Sequence, residues 1–111
     1  MDSKRQNKIA RLLQKELGNI FLIQAKSMKH IIITVTEVRV SADLSVAKAY
    51  LSVFPSERGQ EIIQHVTDNV RSIRYELGTR VRFQLRIIPE LKFFLDESLD
   101  KLEHIDELLK K

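Results

Sequence analysis

Residues 71–95 read RSIRYELGTRVRFQLRIIPELKFFL and join a basic helical segment to the longest strand-like run in the chain. Arg71, Arg74, Arg80, Arg82 and Arg86 stand in its first sixteen positions, opposed by the single carboxylate Glu76. That density of guanidinium groups on patterned sequence predicts a cationic patch on structured backbone, unlike a disordered basic tail. From Val81 the apolar residues alternate: Val81, Phe83, Leu85, Ile87, Pro89, Leu91, Phe93 and Leu95 share one parity, while Arg82, Gln84, Arg86, Glu90 and Lys92 share the other. Period two predicts a half-buried strand over Val81–Leu95. Pro89 cannot donate to a ladder and pushes Ile88 toward extended geometry, so the strand should break or bulge near Pro89.

Upstream of this stretch the spacing predicts a long helix in two parts. Pro55 closes a strand, Ser56 is the expected N-cap and Glu57 favours the positive end of the dipole. Ile62, Ile63, Val66, Val70, Ile73, Leu77 and Val81 then fall on one face, with Arg71, Tyr75 and Arg82 opposite. Asp68-Asn69 and Gly78 are its weak points, and a kink or break is expected at one of them. Before it, IIITVTEVRV (31–40) and VAKAYLSVF (46–54) are β-branched and alternating, and the intervening SADLS carries turn chemistry through Ser41, Asp43 and Ser45. These form an antiparallel hairpin. Ala47 and Ala49 let a helix lie close on one face, with Lys48 and Tyr50 on the other.

The opening helix should run from Ser3, its N-cap, to about Gln24, because Ile9, Leu12, Leu13, Leu17, Ile20 and Phe21 repeat at three- and four-residue spacing. Lys4, Lys8, Arg11 and Lys15 form a second stripe almost opposite. Most such stripes are solvated back faces, but helices are usually solubilised by mixed-sign pairing, and a stripe this uniform tilts the reading toward phosphate contact. The resulting order is helix, strand, strand, broken helix, strand, with a terminal acidic helix carrying Leu99, Leu102, Ile105, Leu108 and Leu109. Helices on one face of a three-stranded sheet are the natural two-layer solution for a single α+β domain over 1–95, followed by an appendage over 96–111.

Charge is unevenly divided between these parts. The net charge of the 111-residue chain is +4, but residues 1–95 hold 16 Lys and Arg against 9 Asp and Glu, a balance of +7. Residues 96–111 hold 3 against 6, a balance of −3. A basic body points to a polyanionic partner. Cysteine is absent, which removes disulfides, thiolate catalysis and sulfur-ligated zinc. The opening MDSKRQNK is not followed by the apolar core of a signal peptide, and no run approaches bilayer length, so a soluble cytoplasmic protein is expected.

Catalytic and ligand-binding motifs are lacking. His30, His65 and His104 are scattered, and the glycines Gly18, Gly59 and Gly78 fit neither a phosphate loop nor a dinucleotide fingerprint. Asp96/Asp100 and Glu103/Glu107 sit at helical spacing and read as a solvated face. No enzyme, cofactor, metal or small-molecule substrate is expected. A protein-interaction module with an incidental basic face and a non-specific RNA chaperone are the alternatives to a specific RNA-binding role. Weak salt dependence would mark the first, and equal affinity for unrelated RNAs the second.

The phrases VTEVRVSADLSVAKAYLSVF and SIRYELGTRVRFQLRIIPELKFFLDES, together with the basic opening helix, resemble the ribosome-binding factor A family of bacterial small-subunit maturation factors. The likeness covers about Ser3 to Leu109, and its specific parts are the DLS-AK hairpin and the run Arg86, Pro89, Glu90, Leu91, Phe93, Phe94, Asp96. It implies a KH-like fold of the second type, without the GxxG loop by which ordinary KH domains clamp nucleic-acid backbone. Where the family carries Ala-x-Gly at the helix junction, this sequence has Asn69, Val70 and Arg71, so an equivalent turn rests on Asn69 tolerating an unusual backbone angle. The resemblance implies a monomeric, non-enzymatic factor that binds the free 30S subunit and 16S rRNA near its 5′ end. It also implies support of late maturation and pre-16S rRNA processing, especially in the cold. The candidate RNA-binding residues are Lys8, Arg11, Lys15, Arg71, Arg74, Arg80, Arg82 and Arg86. About half of them should touch RNA, structural pairing taking the rest.

Overall fold

The computed structural model describes residues 3–26, 28 and 30–97. Helix α1 spans Lys4–Ala25 and begins in a full capping box. Ser3 Oγ accepts from the Gln6 amide at 3.1 Å while Gln6 Oε1 accepts from the Ser3 amide at 2.9 Å, so two otherwise orphaned donors are satisfied. Its buried stripe is Ile9, Leu13, Leu17, Ile20 and Phe21, as the spacing requires. Leu12 is only partly buried.

Strands β1 (Ile32–Val40) and β2 (Val46–Phe54) pair antiparallel, and β3 (Glu90–Leu95) lies parallel to β2, giving the sheet order β1-β2-β3. The SADLS turn is held by the Asp43 carboxylate and by Ser41 Oγ, which accepts from the amides of Ser45 at 3.1 Å and Val46 at 3.0 Å. Asp43 Oδ1 accepts from Ser41 Oγ at 2.7 Å, Ser45 Oγ at 2.7 Å and the Ser45 amide at 3.1 Å. These donors, the Ser45 hydroxyl foremost, bring the Asp43 pKa down to about 2. Leu44 takes the positive φ of 63° that the tight connection needs.

A bulge between Val35 and Glu37 switches the buried parity of β1 from Ile33 and Val35 to Val38 and Val40. Gln14 Nε2 donates to the carbonyls of Val35 (3.2 Å) and Thr36 (3.4 Å), and Gln6 Nε2 to that of Val40 (2.9 Å), so α1 is pinned along this edge strand. Ala47, Ala49, Leu51 and Val53 of β2 point into the core beneath the helices, and Phe21 meets Phe93 of β3 edge to face at 5.8 Å.

The second helical region is broken at Asn69 into α2 (Gly59–Asp68) and α3 (Val70–Val81), with Gly78 inside α3. The structure departs from the sequence pattern at three places. Ser56 is not an N-cap: it opens a single 3-10 turn, Ser56–Arg58, and no side chain caps α2. Asn69 does not need an unusual angle, because its φ of −104° and ψ of 19° are reached without left-handed backbone; its Nδ2 donates to the His65 carbonyl at 2.8 Å and satisfies the end of α2. Val81–Pro89 is not strand. The amides of Gln84 and Leu85 donate to the Val81 carbonyl at 2.9 and 3.0 Å, closing the helix in a turn, and the strand begins only at Glu90.

All three helices cover one face of the sheet, α1 over β1 and α2 over β2 and β3, which is the expected two-layer α+β arrangement. The acidic helix expected over 96–111 falls, from residue 98 on, outside the described residues.

Candidate nucleic-acid interface

Turning the chain out of α3 at Val81 creates a groove. Residues 86–89 run back beside the helix before entering β3, and Ile88 comes close to Gly78, where a Cβ would meet Ile88 Cγ1 at an ordinary contact distance of 3.5 Å. The groove has a volume of about 1000 Å³ and is lined by Arg71, Arg74, Tyr75, Arg82, Arg86 and Ile87 among others, with Glu90 as its one acid. Four of the arginines predicted from sequence therefore converge on one concave surface. Arg71, Arg82 and Arg86 are exposed and engage no carboxylate among the described residues.

Arg74 is used differently. Its Nη2 donates to the Ile88 carbonyl and its Nε to the Pro89 carbonyl at 3.2 Å, so it ties α3 to the segment entering β3. The guanidinium fork is suited to two acceptors at once. Arg80 lies outside the groove, between α1 and α3. Its Nη1 is 3.7 Å from Glu16 Oε2 and its Nε is 3.6 Å from Glu76 Oε1, with the side chain only 26% exposed. Both contacts exceed hydrogen-bond length, and Arg80 Nε is buried without a hydrogen-bond partner. Arg80 thus serves helix packing with two carboxylates beside it, and its charge is compensated locally.

Lys8, Arg11 and Lys15 do not join the groove. Lys8 and Arg11 line a cleft with Lys4 and Asn7, and Arg11 and Lys15 line another between α1 and Ile33–Val35 of β1. Because β1 and β3 are the two edges of the sheet, the cations form two separate clusters. Sequence spacing shows each cluster but not their separation.

Alternation places Phe83 and Ile87 on the buried face, yet they are 85% and 78% exposed. Phe83 lies beneath the Arg82 guanidinium at 4.7 Å, and Ile87 lines the groove, so the arginines are interleaved with apolar and aromatic side chains. The available signal was the spacing of four through Ile73, Leu77, Val81 and Leu85, which continues the helical period past the point where period two begins.

No cluster of three or more His, Cys, Asp or Glu able to hold a metal is found among the described residues, and no helix among them is long and apolar enough to cross a membrane. With planar cations, the exposed Tyr75 ring and an open shape, the groove is suited to a phosphate-bearing partner.

The family model described as Ribosome-binding factor A matches residues 5–109. The chain belongs to the ribosome-binding factor A family. Ribosome-binding factor A of Cytophaga hutchinsonii is 43% identical over 100% of this chain and 84% of its own length, and that of Flavobacterium psychrophilum is 42% identical over 98% and 85%. The crystal structure of ribosome-binding factor A from Thermus thermophilus matches with a TM-score of 0.66 at 26% identity, covering 81% of this chain and 94% of the other. A homology model of the Thermus thermophilus factor, fitted into the cryo-EM map of a 30S complex, matches with a TM-score of 0.62 at 26% identity over 87% and 97%. The α-β-β-α-β order and mixed three-stranded sheet are shared with this family.

Proposed function

We propose that this chain is a non-enzymatic ribosome assembly factor. It binds the free 30S subunit through 16S rRNA near its 5′ end, as a monomer in the cytoplasm, and supports late maturation and pre-16S rRNA processing, with greatest importance in the cold. The observation that carries the reading is the convergence of Arg71, Arg82 and Arg86, unpaired with acids among the described residues, on one groove in a chain of this family. The Thermus thermophilus relative fitted into a 30S complex supports the choice of particle. Structured RNA is held mainly through phosphates and shape, which requires cations on a rigid surface and little base readout. Arg74 supplies the rigidity, and Lys8, Arg11 and Lys15 supply a second contact along α1.

Co-sedimentation with purified 30S subunits and with whole ribosomes, at low and raised salt, tests this. Selective binding to the free subunit that weakens with salt is expected, and Arg71→Glu with Arg82→Glu should abolish it. Equal binding to both particles, or no loss in the charge-reversed variant, refutes the reading.

A further inference from the structure

The face of the sheet turned away from the helices carries an ordered set of side chains that the groove does not involve. Register places Tyr50 opposite Phe94, and one row further along places Lys48 between Arg39 and Lys92. Tyr50 and Phe94 are stacked on each other across the strands, centroids 5.5 Å apart and planes at 27°. Phe94 is 40% exposed, and Phe54, further along the same face of β2, is 67% exposed. Glu37, in the aromatic row, is engaged by Arg39 at 3.0 Å, whereas Lys48 and Lys92 are exposed and form no ion pair among the described residues.

We propose that this open face is a second RNA site, one that takes a single-stranded segment by stacking a base on the Tyr50–Phe94 pair while Lys48 and Lys92 hold the adjoining phosphates. Rows on one face of a strand are about 6.7 Å apart, which sets the lysine row where the backbone of a stacked nucleotide runs. Aromatic platforms beside cations are the means by which proteins hold single strands without reading sequence. A duplex cannot use the platform, since its base faces are already stacked. A protein partner fits less well, because lysine is depleted from the cores of protein interfaces and here stands directly beside the rings. The inference rests on the reading that the partner is ribosomal RNA, but it uses a surface that can fail independently of the arginine groove.

Fluorescence anisotropy with labelled decauridylate, and with an RNA hairpin of equal length, tests it on the full chain. Decauridylate is expected to bind at low salt, and Tyr50→Leu and Phe94→Leu should each weaken it about tenfold or more. Both substitutions keep an apolar side chain on the strand. Lys48→Gln with Lys92→Gln, at two exposed positions, should reduce the slope of log affinity against log salt by about 0.7 per lysine. Absence of decauridylate binding, or affinity unchanged in the lysine variant and in the folded ring variants, overturns the proposal. So does a dimer of the wild-type chain in sedimentation velocity that Phe94→Leu dissociates, since the face then belongs to a second copy. Wild-type co-sedimentation with 30S subunits run alongside separates these results from failure of the assembly-factor reading.

Discussion

Replacing Arg74 by Lys distinguishes a strut from a phosphate contact. The guanidinium donates two hydrogen bonds, to the carbonyls of Ile88 and Pro89, and these join α3 to the segment leading into β3. An ammonium keeps the charge but cannot span both carbonyls in one plane. Hydrogen bonds from charged donors contribute about 1.5–3 kcal/mol each, and exposure of this side chain to water lowers that, so the pair should contribute about 1–2 kcal/mol. At about 4–8 °C per kcal/mol for a domain near this size, Arg74→Lys should lower Tm by roughly 4–16 °C. Urea denaturation of wild type and variant, with thermal melts alongside, measures this. Binding to the 30S subunit should weaken because the groove loses its wall, while the salt slope stays unchanged because no cation has been removed. An unchanged urea midpoint in Arg74→Lys refutes the strut. Loss of slope in Arg74→Gln without loss of stability would assign Arg74 to the phosphates.

Other parts of the structure make simpler demands. Glu16→Gln leaves the partly buried Arg80 with Glu76 alone and should cost about 1–3 kcal/mol in urea denaturation, while Glu16→Gln with Arg80→Met should recover part of the loss. Asp43 has its pKa lowered from 3.8 to about 2 on folding, so its contribution is full above pH 4 and fades as pH falls toward 2; Asp43→Asn should flatten that part of the acid unfolding curve. Gly18 lies within α1 with nothing within 4 Å of a Cβ placed there, so Gly18→Ala should stabilise the fold by about 0.5–1 kcal/mol, read as a raised Tm.

The elements legible from the amino-acid sequence were those in which local chemistry and long-range packing agree. Ser3 and Gln6 form a capping box wherever a helix begins there, and Ala47, Ala49, Leu51 and Val53 suit close packing under helices while Lys48 and Tyr50 do not. The stretch Val81–Pro89 failed because two periods overlap in it. Val81 and Leu85 satisfy both a strand and a helix, and only the backbone decides between them. The Gln84 and Leu85 amides find the Val81 carbonyl four and fewer residues away, at lower entropic cost than a distant ladder. Pro89 then permits the strand to start only beyond it. Phe83 and Ile87 are exposed as the consequence, and Ile87 joins Val70, Ile88 and Leu91 in the apolar part of the groove.

The charge clusters were legible and their pairing was not, because pairing depends on which helices touch. Glu16 and Arg80 are far apart in sequence and meet only because α1 packs on α3, and Arg74 meets carbonyls only because the chain turns back after Val81. Removing those two from the eight candidate cations leaves Arg71, Arg82 and Arg86 in one cluster and Lys8, Arg11 and Lys15 in another. Each cation that neutralises a phosphate should add close to one unit to the slope of log affinity against log salt. Neutralising the three groove arginines with Gln should therefore lower the slope for 30S binding by about 3, and neutralising the α1 cluster by a further 3 if a single RNA surface reaches both edges of the sheet. If the α1 substitutions leave the slope unaltered, RNA approaches only from the β3 edge, and the uniform charge of α1 serves to keep that face in water.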